Sequence, residues 1–367
     1  MKKIRIGYVG CGGIANQKHF PALMQMKDLC EIVAFCDIVE ERAKEACKKY
    51  GADGAKYYTD YRELLKDESI DAVHVCTPNN AHCPITVAAF EASKNVLCEK
   101  PMAATTTDAQ KMMNAWKKSG KKFTIGYQNR FRPEVLALHK ACENGELGDI
   151  YMAKAHALRR RAVPTWGVFP DKSQQGGGPL IDIGTHALDI TLWMLNNYEP
   201  VSVTGSVYEK LGHLPEAVEG NIFGPWDPET YEVEDSAFGY IKMKNGATVF
   251  LESSWALNCL ESKEASTTLY GTKAGAEIRS GMSFPEDELI YVKTENGMLM
   301  DEKPAIAGKV AYFEGKGQEP AVLEAKTWLN ALHGNGEPMV DPNQAYTVTR
   351  ILDAIYESAR TGKEVLL

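Results

Sequence analysis

Short apolar runs separated by helical stretches fill the first third of the chain. Ile4–Val9, Glu31–Asp37, Ala72–Cys76, Asn95–Cys98 and Lys122–Gly126 are too short for core helices and read as buried strands. Between them, residues 40–49, 61–66 and 107–119 carry helical patterns. The first of these has acids at Glu40 and Glu41, bases at Lys48 and Lys49, and Gly51 just beyond. Such alternation predicts a mostly parallel, doubly wound sheet. The helix after the first strand is predicted to kink or end early at Pro21.

From about Tyr127 the pattern changes. Strands are predicted at Ile150–Leu158, Val201–Tyr208, Ser236–Met243, Thr248–Trp255 and Ser266–Tyr270, the last four with no helix between them, and Asn245-Gly246 is a hairpin signal. Helices near Ala321–Leu332 and Gln344–Arg360 close the chain. The fold class is therefore α/β, with an N-terminal doubly wound parallel sheet (residues 1–126) and a C-terminal α+β domain (residues 127–367) built on a large, mainly antiparallel open sheet. One face of that sheet is predicted to pack on helices and the other to pair with a second subunit, making a homo-oligomer. Residues 220–233, with Trp226 and Asp227, form a stretch long enough for a lid or an oligomer contact.

Composition narrows the function. At 367 residues, 44% hydrophobic and 25% charged, the chain is an ordinary two-domain globular protein. A net charge of −8 argues against nucleic acid, because phosphate-backbone binding needs a basic face. The nine cysteines show no CxxC spacing and read as reduced, buried thiols, and no His/Cys/carboxylate cluster has metal-ligand spacing, so no metal is predicted. No apolar run approaches membrane-spanning length and Met1-Lys2-Lys3 leads straight into a strand, which places the protein in the cytoplasm without a membrane partner.

Chemistry enters at the strand ends. Gly10-Cys11-Gly12-Gly13-Ile14-Ala15 follows the first strand and opens a helix, the context a dinucleotide loop requires. Gly10 would permit the tight turn, Gly12 would let a pyrophosphate reach the helix N-terminus, and Ala15 would take the packing position. Asp37, 22 residues after Ala15, is placed to accept from a ribose 2′-hydroxyl and to repel a 2′-phosphate, which favours NAD; Arg42 leaves NADP open, and the same aspartate would also suit a cap for residues 40–49. The loop Thr77-Pro78-Asn79-Asn80-Ala81-His82 and the tripeptide Glu99-Lys100-Pro101 stand at the ends of later strands, where ligands bind in open α/β sheets. His82 equally suits a structural or capping role. Lys100 can hydrogen-bond a reacting oxygen and stabilise negative charge developing there.

The centre of the chain holds Gly176-Gly177-Gly178-Pro179-Leu180-Ile181-Asp182-Ile183-Gly184-Thr185-His186-Ala187-Leu188-Asp189, predicted to start a helix. Asp182 and His186 are four apart and share a face, and Asp189 lies three further on that face. A carboxylate one turn from an imidazole can fix its tautomer and favour its protonated form, as a base for a hydroxyl proton needs. Trp166, close to Arg159, Arg160 and Arg161, suits the apolar face and hydroxyls of a sugar.

These motifs together resemble the glucose–fructose oxidoreductase / inositol dehydrogenase / rhizopine catabolism family, written Gfo/Idh/MocA, over nearly the whole chain. The cofactor loop looks like Gly10–Ala15, the Glu-Lys-Pro motif matches residues 99–101, and the Gly-Gly-Gly…Asp-x-x-x-His motif matches residues 176–186. The resemblance implies an NAD-binding Rossmann domain, a sheet-rich substrate domain, dimers or larger assemblies built sheet to sheet, and a catalytic trio of Lys100, Asp182 and His186. It implies cofactor contacts from Gly10, Cys11, Gly12, Gly13, Ile14, Asp37, Thr77, Pro78, Asn79, His82, Glu99, Lys100 and Gln128. Substrate contacts would come from Lys100, Arg130, Arg160, Trp166, Asp182, His186 and Asp189. Within the family, the start of the chain and Val163-Pro164-Thr165-Trp166-Gly167 look most like gut-bacterial enzymes that oxidise the sugar 3-hydroxyl of plant glycosides and prepare them for a partner lyase. The expected reaction is NAD-dependent oxidation of a secondary sugar hydroxyl, at C3, to a ketone. Two alternatives stand beside it: a glycosidase that retains NAD and works by transient oxidation and elimination, and a regulator that senses NAD or sugar.

Overall fold

A computed structural model describes residues 2–305 and 320–367. The chain divides into two compact units, Met1–Phe131 with Gln318–Tyr346, and Arg132–Gly317 with Thr347–Leu367.

The first unit is built on six parallel strands: β1 (Ile4–Val9), β2 (Cys30–Cys36), β3 (Lys56–Tyr58), β4 (Ala72–Val75), β5 (Asn95–Glu99) and β6 (Phe123–Gly126). Their order is β3-β2-β1-β4-β5-β6. The chain therefore winds outward from β1 to one edge, returns, and winds from β4 to the other. β1 and β4 are neighbours whose following loops leave in opposite directions, which opens a crevice outside their carboxyl ends. Burial on both faces explains the near-continuous apolar runs; all of β4 is buried. Tyr8, Phe20, Phe35 and Leu329 lie in the core on one side.

Pro21 does not end the helix after β1. The segment starts with a π-helical turn, Ala15–His19, in which the Phe20 amide donates to the Ala15 carbonyl, and continues as the α-helix Phe20–Met24 with Pro21 in its first turn. The wider turn changes the hydrogen-bond register where proline has no N–H to give.

Among the described residues the second unit carries nine strands: β7 (Ile150–Leu158), β8 (Pro200–Tyr208), β9 (Ser236–Met243), β10 (Thr248–Ser254), β11 (Lys263–Gly271), β12 (Ala274–Arg279), β13 (Glu288–Glu295), β14 (Met298–Glu302) and β15 (Val365–Leu366). Their order is β14-β13-β12-β11-β7-β10-β9-β8-β15, antiparallel except for the parallel β7/β10 pair. Ala153, Ala155 and Ala157 on one face of β7 are fully buried, and the helix Thr185–Leu195, almost wholly buried, packs on β7 and β11. The small side chains let that helix approach the sheet closely, so its N-terminal end is set by the sheet. Residues 220–233 are fastened down: the Trp226 indole N–H donates to the Gly212 carbonyl at 2.7 Å, and Tyr231 is buried beside it.

Candidate active site

In the first unit the glycine turn sits against β4. Gly10 has φ +95°, and a Cβ there would lie 2.3 Å from the Cys76 carbonyl oxygen, so this position requires glycine for backbone packing. Gly12 and Gly13 differ: a Cβ at either meets nothing within 4 Å. That open backbone leads into the helical segment, as a cradle for a pyrophosphate would.

Asp37, at the end of β2, holds the loop with one oxygen and its own turn with the other. Oδ2 accepts from the Cys11 amide at 2.9 Å and Oδ1 from the Val39 amide at 2.9 Å. The residue at the helix N-cap is Val39, with no side-chain cap, so Asp37 acts two residues before the cap. Its carboxylate thus stands beside the glycine loop. Burial first, and then the Asp37 charge, push the Cys11 thiol up to about 12, which keeps it neutral next to any bound phosphate. At the end of β4 the buried Thr77 hydroxyl oxygen has no hydrogen-bond partner among the described residues. A ligand on this edge would supply one, and with the Gly12–Gly13 cradle and the Asp37 carboxylate this chain fits a dinucleotide.

Of the residues assigned above to ligand contacts, His82, Arg130 and Glu99 are buried along with Cys11 and Asp37, and their polar atoms are engaged within the first unit. His82 is fully buried, with Nδ1 at 2.8 Å from the Pro101 carbonyl and Nε2 at 3.0 Å from that of Thr77; it ties two strand-end loops together rather than presenting itself to a ligand. Arg130 is also fully buried, and its Nη1 donates to Gln344 Oε1 at 2.7 Å. Glu99 is buried, with its carboxylate drawn inward by Lys18 and His19. Lys100 follows Glu99 at the strand end and is half-buried, as are Thr77, Asn79 and Gln128 around that edge, while Pro78 is exposed.

In the second unit the central segment begins with a short helix, Lys172–Gln175, capped by Asp171 and ended by Gly176 at φ +83°. A second π-helical turn, Leu180–Gly184, follows and passes into the α-helix Thr185–Leu195. Asp182 lies in the π turn and His186 in the first α turn. The approach to this segment is set by two groups that local pattern does not reveal. The buried Glu234 carboxylate accepts from the Gly178 amide at 2.8 Å, the Leu180 amide at 3.1 Å and the Tyr356 hydroxyl at 2.8 Å. Ser253 Oγ donates to the Pro179 carbonyl at 2.7 Å. The glycines are explained by the same packing, since a Cβ at Gly178 would lie 2.3 Å from the Glu234 carbonyl oxygen and one at Gly177 2.1 Å from the Tyr356 hydroxyl.

Asp182 is half-buried, and the indole N–H of the fully buried Trp255 donates to its Oδ2 at 3.2 Å. His186 is 8% exposed. Asp189, in the same helix, is fully buried. Arg159 is desolvated, yet its ion pair with Glu264 (Nε–Oε2 2.8 Å) and the nearby Asp182 charge hold its pKa above the usual guanidinium value. Arg160 is exposed, and Trp166, 51% exposed, lies edge-on to Phe223 and Phe169. Among the described residues, no group of three or more His, Cys, Asp or Glu side chains could hold a metal ion, and no helix is long and apolar enough to cross a membrane.

Residues 4–127 match a family model described as an oxidoreductase family with an NAD-binding Rossmann fold, and residues 139–367 match its C-terminal alpha/beta domain. The chain is 36% identical to a D-glucoside 3-dehydrogenase of Escherichia coli (strain K12) over 364 residues, 99% of this chain and 97% of that one. It is 26% identical to a levoglucosan dehydrogenase of Pseudarthrobacter phenanthrenivorans, covering 98% and 97% of the two chains. Among solved structures, a levoglucosan dehydrogenase in complex with NADH and levoglucosan superposes with a TM-score of 0.82 at 24% identity, over 100% of this chain and 99% of that one.

Proposed function

The chain belongs to the Gfo/Idh/MocA family of NAD-binding oxidoreductases and is an NAD-using enzyme of the sugar-dehydrogenase type, and from that premise we propose that it oxidises the C3 hydroxyl of a hexoside to a ketone. What carries the reading is the buried His186 imidazole one turn after an Asp182 carboxylate that Trp255 holds in place, in a chain alike over nearly its full length to a D-glucoside 3-dehydrogenase.

Bound NAD supplies the hydride acceptor. His186 takes the hydroxyl proton, and Asp182 orients the ring and balances the charge it gains. Lys100 donates to the oxygen as it acquires alkoxide character. Gly12 and Gly13 leave room for the pyrophosphate, Thr77 offers its hydroxyl, and Asp37 faces the adenosine ribose. Arg160 and Trp166 are the exposed candidates for sugar contacts in the second unit.

The ketone formed would acidify the neighbouring C–H, which makes the product suited to a partner lyase that cleaves the glycoside by elimination. We place the protein in the cytoplasm. A second copy is proposed to cover the outward sheet face, where Tyr208 meets Phe238 and Tyr240 meets Phe250 in edge-on ring contacts.

A panel of free sugars and glycosides with NAD, scored for NADH and for product mass, tests the reading. The expected result is NADH in step with a product two mass units lighter, and loss of turnover with retained NAD binding in His186→Ala. Cleaved glycoside without NADH would instead mean a glycosidase that retains its cofactor, and NAD or sugar binding with no turnover would mean a sensor.

A further inference from the structure

One ammonium group is buried at the meeting of four segments of the first unit. Lys18, in the π turn that follows the glycine loop, is 8% exposed, and its three N–H groups meet three acceptors. These are Glu99 Oε1 at 2.7 Å, Glu324 Oε2 at 2.8 Å and Gln128 Oε1 at 3.2 Å. Glu99 Oε1 also lies 2.7 Å from His19 Nε2, and Glu99 Oε2 accepts from the Lys100 amide at 3.1 Å. Room for this carboxylate comes from Gly126, where a Cβ would stand 3.0 Å from Glu99 Oε1.

A fold seeking stability alone would fill such a space with apolar side chains, because desolvating a lysine and two glutamates costs more than their attraction commonly returns. The arrangement is instead specific in geometry. Its members are Lys18 and His19 at the end of the nucleotide loop, Glu99 next to Lys100, Gln128 just past β6, and Glu324 on the helix Pro320–Leu332.

We propose that Lys18 is a positioning residue: through Glu99 it fixes the strand end that carries Lys100, and it makes that position depend on the segment leaving the glycine loop. The inference rests on the role given to Lys100 above. Nothing in it requires Lys18 to touch substrate or cofactor.

The charges around Glu99 decide what removing Lys18 does. Burial works to raise the Glu99 pKa, and Lys18 together with His19 overcomes it and holds the carboxyl well below its usual range. The other ionisable groups near it are His74, Cys76, His82 and Cys98. Burial lowers both of these histidines and raises both thiols, so all four are neutral at neutral pH. Without Lys18, burial acts on Glu99 against His19 and the neighbouring Lys100, and Glu99 takes up its proton at a higher pH.

The test compares wild type with Lys18→Met, and with Lys18→Met/Glu324→Gln, which removes one charge of each sign and guards against a variant that fails to fold. Expected for either is a fall in kcat of about tenfold or more, from displacement of a reacting group by a fraction of an ångström. The apparent Kd for NAD should stay within about threefold, a C3-deuterated glucoside should give a larger isotope effect on kcat, and the acid limb of the kcat/KM profile should move to higher pH. Independently of turnover, the acylation rate of Lys100 by acetic anhydride, followed by mass spectrometry, should change several-fold while that of exposed Lys44 stays the same. An unchanged acid limb together with an unchanged Lys100 labelling rate in a folded variant overturns the proposal. A wild type that oxidises no glycoside removes the functional reading instead, and the labelling result still decides whether Lys18 positions Lys100.

Discussion

Trp255 donates its indole N–H to Asp182 Oδ2 across 3.2 Å, from a fully buried ring just past β10 to a carboxylate in the π turn before His186. The contact joins residues 73 positions apart and fixes the orientation of the acid proposed to steer the imidazole. Trp255→Phe keeps most of the ring volume and removes this donor. We expect kcat for glycoside oxidation to fall about tenfold while NAD affinity is unchanged, with a loss of about 1 kcal/mol in unfolding free energy. Steady-state kinetics, cofactor titration and urea unfolding on one preparation separate these effects.

The glycine loop yields a contrast between two positions. Alanine at Gly10 must adopt φ near +95° with its Cβ against the Cys76 carbonyl, whereas alanine at Gly12 meets no protein atom within 4 Å. Gly10→Ala is therefore expected to lose roughly 2–4 kcal/mol of stability. Gly12→Ala should unfold within about 0.5 kcal/mol of wild type, yet bind NAD at least about tenfold more weakly, because its methyl group stands in the cradle. Thermal unfolding and NAD titration of the pair check both, and equal NAD affinity in wild type and Gly12→Ala would remove the pyrophosphate from that place.

Asp37 supplies a further test, because its two oxygens have different duties. Oδ2 anchors the Cys11 amide, and a carboxylate beside the loop both accepts from a ribose hydroxyl and repels a 2′-phosphate. Asp37→Ala should raise the KM for NAD about tenfold and lower the ratio of kcat/KM for NAD over NADP by a similar factor. An unchanged ratio would mean that the aspartate serves only to shape the loop.

Much of this was legible in the sequence where the physics is local. Strand–helix alternation, the glycine turn after β1 and the return of strands after Tyr127 follow from periodicity and turn chemistry, and the structure has them. The strands β12, β13 and β14 were not read, because they lie toward one edge of the sheet, where Glu277, Lys293, Glu295, Asp301 and Glu302 interrupt the apolar pattern. Both π turns were missed for a similar reason. The turn at Ala15–His19 precedes the proline expected to kink or end the helix, and no residue type signals the change in register. Glu234, Ser253, Trp255 and Lys18 act across 56, 74, 73 and 81 positions, and only folding brings them to the segments they hold. His82, Arg130 and Asp189 were assigned to ligands by resemblance, and that all three are fully buried is a property of the fold that no motif carries.

The first unit should also lose stability as the solution becomes mildly acidic, for a reason visible at His74. This fully buried imidazole accepts at Nε2 from the Trp328 indole N–H at 3.0 Å, so its remaining proton is on Nδ1, facing the Tyr8 hydroxyl at 2.8 Å. A neutral ring satisfies both partners, and a second proton would displace Trp328. Burial, with the neighbouring His19 and Lys18 charges, accordingly holds the His74 pKa well below the ordinary histidine value, and burial lowers that of His82 too. Because the folded-state pKa values are depressed, the unfolded chain binds the more protons as pH drops through about 6.5, the unperturbed value. The stabilisation these rings contribute is present above that pH and is lost on descending toward their folded-state values, with a slope of up to about 1.4 kcal/mol per pH unit for each ring. His74→Asn should cost about 1–3 kcal/mol at pH 7.5, where the bonds to Trp328 and Tyr8 are weakened, and should make the decline between pH 6.5 and 5 shallower by up to about one proton's worth. Urea unfolding at a series of pH values measures both quantities. A variant with the wild-type slope would show that His74 is protonated in the folded protein, contrary to the bond from Trp328.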